Sequence, residues 1–534
     1  AMGANNLTVA GAATIPGTIT IDTATLDANG AFDATGGTIT ITGAGNLTLA
    51  STVESLGTLS DNFGTVTYDG VDQEVLTYIY NNIVIGGSSG TKILAGATTV
   101  NSNLTVNVGV TFDVTSSGDY SVSVGGSLEN NGTFSAREGT VTFNGADDQI
   151  FTPGSSSYYN IILNNAGGDD KLLTISGNLI IDNDLTLTDG SLDFDTNDPN
   201  ISIAGDLVIA DGAVWTKGSG TATFAGVTQS MSDANNTPNN LGNALINSTV
   251  MTVITDATFT SVQISLGGKN ILNTGKTLAI TGALTITGEL EMADDSVVDA
   301  GGDVTVSGTL DMIGSARLKM EGDLSFSGTL EASATSRIDL DGGSEQTISG
   351  STTPAFNRIF CSSSATVFNL TATINDTLDA GGEAFTISSG KTLTMAAGSV
   401  TILSGGTWTR IGTLTLNAAS KVLYTTSDQT ALPNITFGNV EHDGGTLFHT
   451  SDFTVAGTFT NTSGDFVASE NMTANGIVWT AGSVIGAPSQ TWDIGTGGIT
   501  INGGVFKATS GIFTLEGNWT LNGGAFTHNT SNID

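Results

Sequence analysis

Residues 283–292 read Ala283-Leu-Thr-Ile-Thr-Gly-Glu-Leu-Glu-Met292. Twenty residues on, the chain reads Asp303-Val-Thr-Val-Ser-Gly-Thr-Leu-Asp-Met312, and twenty further Asp323-Leu-Ser-Phe-Ser-Gly-Thr-Leu-Glu-Ala332. Each unit holds two short runs in which apolar residues alternate with Thr, Ser or acidic residues, parted by a glycine. Alternation of period two places the apolar side chains on one face of an extended strand and the polar ones on the other. Thr, Val and Ile favour that extended state, and glycine allows the sharp corner between runs. Strands this short cannot bury an apolar face alone; stacked on copies of themselves, they merge their faces into one core.

The period extends outward in both directions. Gln263-Ile-Ser-Leu266 fits the opening of the pattern one unit earlier, Gly17-Thr-Ile-Thr-Ile21 recurs as Gly37-Thr-Ile-Thr-Ile41, and Asn6-Leu-Thr-Val9 returns two periods later as Asn46-Leu-Thr-Leu49. The expected fold is all-β: a right-handed parallel β-helix, or β-solenoid, with coils of about twenty residues. Handedness follows from the crossover preference of parallel strands.

A longer pattern overlies the coils. Gly64-Thr-Val-Thr-Tyr68 leads to Gln73 and Tyr80-Asn81, and Gly139-Thr-Val-Thr-Phe143 leads to Gln149 and Tyr159-Asn160. Thr221-Ala-Thr-Phe224 leads to Gln229, Arg337-Ile-Asp-Leu340 to Gln346, and Lys421-Val-Leu-Tyr424 to Gln429. The glutamines lie 76, 80, 117 and 83 residues apart, so a super-repeat of about four coils with one decorated loop is expected, and the long interval holds additional plain coils. The organisation expected is a cloning remnant at 1–4, then one continuous solenoid fragment over 5–534, with super-repeats near 57–131, 132–215, 216–327, 328–412 and 413–534. Export and anchoring signals are expected to lie outside such a fragment.

These stacked Gly-Asn-Leu-Thr-Leu and Gly-Thr-Leu-Thr-Leu units, as at Gly45–Leu49 and Gly412–Leu416, resemble the parallel β-helix repeats of bacterial surface adhesins of the filamentous-haemagglutinin and autotransporter-passenger type. The resemblance covers nearly the whole chain and implies a fold, an extracellular or cell-surface location and a structural or adhesive role. It carries over no functional residue, because its motifs form coils and not sites.

Composition narrows the partners. With 51 acidic residues against 14 basic ones the chain carries a formal charge of −37, which opposes nucleic acid and anionic lipid. The charge keeps a β-rich chain soluble, and the same carboxylates attract divalent cations. No run of 18 apolar residues is present to insert as a spanning helix. The single cysteine, Cys361, sits between apolar neighbours and reads as a small buried hydrophobe.

For chemistry the sequence offers little. Only three histidines exist; His442 and His449 flank Asp443-Gly444-Gly445, which reads as a surface loop and not as part of a triad or zinc site. No glycine-rich stretch opens a helix, so no phosphate loop is read. Asp193, Asp195, Asn197 and Asp198 resemble the start of an EF-hand loop, a hard-oxygen set suited to calcium, but Asp198 stands where that loop needs glycine and Ala204 where it needs glutamate. Asp147-Asp148, Asp169-Asp170, Asp182-Asn183-Asp184 and Asp294-Asp295 are further acidic turns. Arg337, Asp339 and Asp341 alternate with apolar residues and are expected to share an outward face, as a charge ladder or, less simply, as part of a polysaccharide-cleaving groove.

No catalytic set and no cofactor-binding set is read from the chain. The expected function is a non-catalytic extracellular structural or adhesive rod of a bacterial surface protein: a stalk, adhesin or surface-layer component. The contact points expected with cell-surface glycans or neighbouring copies are the loops of Gln73, Gln149, Gln229, Gln346 and Gln429 and the corners at Trp215, Trp408 and Trp479. Two alternatives stand beside it: a carbohydrate-binding or polysaccharide-degrading β-helix, and an ice-binding solenoid displaying Thr-X-Thr pairs such as Thr18/Thr20, Thr38/Thr40 and Thr65/Thr67.

Overall fold

The structure is a computed structural model that describes residues 1–115, 117–165, 171–425, 427–486, 489–528 and 532–533. The described residues form β-strands, turns and bends, and no helix. Packing divides the chain into two compact units, Ala1–Ile271 and Leu272–Asp534. Each is a parallel β-solenoid of stacked coils.

In the first unit, eleven strands build one sheet, beginning Leu7–Val9, Thr25–Ala28, Asn46–Leu49, Thr65–Tyr68 and Asn82–Ile85. Neighbours in this sheet lie three strands apart in the chain, so a typical coil contributes three strands and three corners. All of these pairings are parallel. The register sets Leu26 beside Leu47, Leu47 beside Val66, Val66 beside Ile83 and Ile83 beside Leu104. That column is buried throughout, while Thr48 and Thr67 on the intervening positions stay partly exposed. Each fully buried leucine or isoleucine contributes ~2 kcal/mol of apolar burial.

The second unit keeps the same plan with a stricter period. Leu278 pairs with Val298, Val298 with Leu318 and Leu318 with Ile338. Leu284, Val304 and Leu324 form a second column, and Leu290, Leu310 and Leu330 a third. Every step in these columns is twenty residues, so the sequence repeat is the coil. Corners are tight: a Cβ placed on Gly308 would lie 1.9 Å from the carbonyl oxygen of Gly288 in the coil before it. Beyond residue 438 the strands lengthen and bend around corners, as in Asn439–Phe448, Phe453–Ala468, Met472–Trp479 and Trp492–Ile501. Register shifts within their pairings mark those bends.

Candidate functional site

The glutamines of the super-repeat are internal. Gln73, Gln149, Gln229 and Gln346 are buried. The Gln73 amide donates from Nε2 to the carbonyls of Leu49 at 2.8 Å and Ser51 at 2.7 Å in the coil before it, while its Oε1 accepts the amide of Gly70 at 2.7 Å. Gln149 repeats the arrangement on Val124, Gly126 and Gly145. Gln229 does so on Ile203, Gly205 and Gly226, and Gln346 on Met320, Gly322 and Gly342. A primary amide offers two donors and an acceptor, which matches one corner carbonyl (Ser51, Gly126, Gly205 or Gly322), the second lone pair of a ladder carbonyl that already accepts a strand amide, as Leu49 does from Asp69, and one amide of the returning loop. Leaving such groups buried and unpaired costs about 1–3 kcal/mol each.

The contact was expected of the loops that carry these four glutamines; their side chains themselves face inward and join coil to coil. A glycine three or four residues before each one is the signal in the sequence that marks this role. The aromatic residues of the same loops act alike. Tyr80 donates its hydroxyl to the Leu76 carbonyl at 2.6 Å, Tyr158 to the Pro153 carbonyl at 3.2 Å, and the Tyr424 hydroxyl accepts from the Leu432 amide at 3.0 Å. Burial pushes the Tyr68 phenol, bonded to Tyr80 at 2.9 Å, up to about 12.

Of the three tryptophans, two are core. Trp215 packs against Phe194 at 4.7 Å between centroids, and Trp479 is enclosed, with its indole N–H 3.3 Å from the Gly482 carbonyl. Trp408 is only half-buried, and it lines a cleft together with Gln429, whose side chain is also half-exposed.

The EF-hand-like residues do not gather around a common point. Asp193 is buried, with one carboxylate oxygen accepting the Asp195 amide at 2.9 Å and the other the hydroxyls of Thr196 at 2.6 Å and Thr174 at 3.2 Å. Asn197 donates to the Ile175 carbonyl at 3.1 Å, and Asp198, in a left-handed conformation, accepts from the Ser219 amide, which holds its carboxyl below the usual range. These are turn-closing bonds within and between coils. Asp182 and Asp294 likewise accept hydroxyls, from Ser157 and Ser315, and Asp147 lies 4.0 Å from Lys171. Asp169 and Asp170 lie outside the described residues. Among the described residues, the three acidic side chains that converge are Glu289, Glu291 and Asp311, within 4.8 Å of one another.

Arg337, Asp339 and Asp341 do share a face, and Ile338 and Leu340 point inward. Asp339 is sealed beneath Arg317 and Arg337, both of which pair with it. Lys319 sits between Asp299 at 3.0 Å and Asp341 at 3.2 Å, and the Arg337 guanidinium lies 4.2 Å above the Phe360 ring. The cations of this ladder are thus matched to carboxylates. Cys361 beside it is buried, and burial pushes its thiol up to about 12.

The surface-loop reading of the histidines is overturned. His442 lies in strand Asn439–Phe448 and His449 follows it, and both are buried. Asn461 donates its own amide to the Gly464 and Ala481 carbonyls, which leaves its oxygen to accept from His442 Nδ1–H at 2.5 Å. His449 donates from Nδ1 to the Ser451 carbonyl at 2.9 Å and stacks on Phe466 at 5.3 Å. His442 fills a strand column and His449 packs just past the strand's end, which the Asp443-Gly444-Gly445 turn disguises in the sequence.

The threonines come into register as Thr18, Thr38 and Thr58, and as Thr20, Thr40 and Ser60, but this sheet is three strands deep. Comparison of the chain with family models, with curated proteins and with solved structures finds no match.

Proposed function

We propose that the chain is a non-catalytic structural and adhesive segment of a bacterial surface protein, displayed outside the cell. The observation that supports this reading is the use of buried polar groups. Glutamine amides join one coil to the previous one, the Asp193 carboxylate closes its own turn, and Arg317, Arg337 and Lys319 pair with neighbouring carboxylates. Such bonds serve the stacking of coils, and the outward strand positions remain a wet surface rich in Thr and Ser. The resemblance of the repeats to adhesin coils supports a location outside the cell. The partners proposed are cell-surface glycans and neighbouring copies of the chain.

The test combines two assays on the purified chain. Beads coated with it are expected to bind bacterial or host-cell surfaces, or each other, above beads coated with a control protein. A panel of soluble polysaccharides is expected to stay intact on incubation with it. Release of new reducing ends or unsaturated sugars would overturn the non-catalytic reading, and the failure of coated beads to bind anything would overturn the adhesive one.

A further inference from the structure

In the second unit one sheet stops at a half-exposed tryptophan. The column Gln346, Thr366, Phe385, Trp408 runs through successive coils of one sheet, and strand Trp408–Arg410 is its last member. One face of the Trp408 indole stacks on Phe385, with centroids 4.3 Å apart and planes at 22°. On the other side no further strand of that sheet follows among the described residues. The ring instead borders a cleft of about 410 Å³, whose lining includes Thr407, Asp428, Gln429, Thr430 and Phe448.

The walls of the cleft are tied down. The Asp428 carboxylate accepts the Thr446 amide at 2.7 Å, the Ala431 amide donates to the Phe448 carbonyl at 2.6 Å, and the Asn434 amide donates to the Ser451 hydroxyl at 3.0 Å. Arg410 holds the far end of the loop through the Pro433 carbonyl. A binding site built on such fixed walls loses little conformational freedom when occupied. The Trp408 indole nitrogen is buried and has no hydrogen-bond partner. The ring therefore offers the cleft its apolar face and not its donor. Phe448, 38% exposed, adds a second aromatic surface.

We infer that this cleft binds a neutral saccharide of one or two pyranose rings. A pyranose presents an apolar C–H face that suits a half-exposed indole, edged by hydroxyls that suit threonine hydroxyls, a carboxylate and the Oε1 of Gln429, whose Nε2 is committed to the Leu403 and Thr425 carbonyls. The volume is at the lower end of the roughly 300–1,000 Å³ of small-ligand pockets, which limits the ligand to that size. Asp428 in the lining and the −37 charge of the chain disfavour uronates and sulfated sugars. The inference rests on the adhesive reading above and names the chemistry of one of its contacts.

The experiment is saturation-transfer NMR and calorimetry on the full chain with glucose, galactose, N-acetylglucosamine, cellobiose and glucuronate. At least one of the neutral sugars is expected to bind, and glucuronate to bind more weakly than the best of them. Trp408→Ala is expected to weaken binding about tenfold or more. Because that change also removes the stack on Phe385, Thr430→Arg provides the second variant: it fills the cleft from an exposed position and is expected to abolish binding with the thermal melt unchanged. Absence of binding by every neutral sugar, preference for glucuronate, or full binding by Thr430→Arg would each overturn the inference. Bead adhesion separates the two readings. Adhesion that survives without sugar binding sinks the cleft alone, whereas sugar binding without adhesion sinks the adhesive reading alone.

Discussion

The plain coils between Thr277 and Ala332 and the coils that carry Gln346 and Gln429 bury the same kind of core by different means. In the plain coils the inward positions stack apolar on apolar: Leu290 pairs with Leu310 and Leu310 with Leu330, Met292 with Met312, and Leu278 with Val298. Every step is twenty residues, and the corners close glycine over backbone. At Gln346 the step lengthens, with Leu324 pairing to Ile348 instead of to residue 344. The additional residues form a loop, and a buried amide bonds the Gly322 carbonyl and adds a second bond to the Met320 carbonyl, which keeps its ladder amide from Asp341. Apolar columns at a constant step keep the register where the coil is regular, and a buried staple keeps it where the coil is longer.

The sharpest way to break the regular half of that contrast is Gly308→Ala. The new methyl would lie 1.9 Å from the Gly288 carbonyl oxygen and 2.4 Å from that of Thr287, both backbone atoms that cannot step aside. The expected cost is about 3 kcal/mol or more. Because each repeat contacts chiefly its neighbours, the loss is expected as local opening around residues 284–332, read by hydrogen exchange at those amides. Unchanged protection there would mean that the coils are looser than their register implies.

The staple is tested by Gln346→Leu, which keeps bulk and removes the amide. It leaves the Gly322 carbonyl and the Gly342 amide without their partner, while the Met320 carbonyl keeps the Asp341 amide at 3.1 Å, at a cost of roughly 1–3 kcal/mol. Exchange is expected to rise at 320–350 and to stay normal at 284–312. The same substitution at the half-exposed Gln429 is expected to cost less, since solvent can satisfy part of what its amide releases. Equal losses at both positions would show that the loop itself, and not the amide, holds the register.

The two kinds of coil were unequally legible. Period-two alternation and the twenty-residue repeat are properties of each segment taken alone, so the fold class and the plain coils could be read directly. The Gln pattern was visible as a pattern, but its role depends on carbonyls 22 to 26 residues away, which only the stacked register brings within reach. Polar residues in loops are more often exposed than not, and that expectation pointed these glutamines outward. The same holds for Asp193, whose carboxylate closes its own turn, and for His442 and His449, where two glycines mimic a loop although the strand continues through a corner. The Trp408 cleft had the weakest signature, because it arises where one sheet ends and no residue encodes an ending.

His449 supplies the smallest and most specific test, in the irregular coils beyond residue 438. Its Nδ1–H is committed to the Ser451 carbonyl, so a second proton would enter at Nε2, which is buried without a partner beside Phe453 and Phe466. Burial holds its pKa below the ordinary 6.5, and the Ser451 carbonyl, Glu470 and Asp452 pull weakly the other way. The unfolded chain therefore takes up the proton first as pH falls. Stability of these coils is full above about pH 6.5 and declines as pH drops through the lower folded value. Amides near 437–468 are expected to lose protection between neutral and mildly acidic pH, while those at 284–312, which contain no histidine, hold theirs. His449→Phe, which keeps a ring beside Phe466, is expected to flatten that pH dependence. A decline that persists in this variant would show that His449 is not its cause.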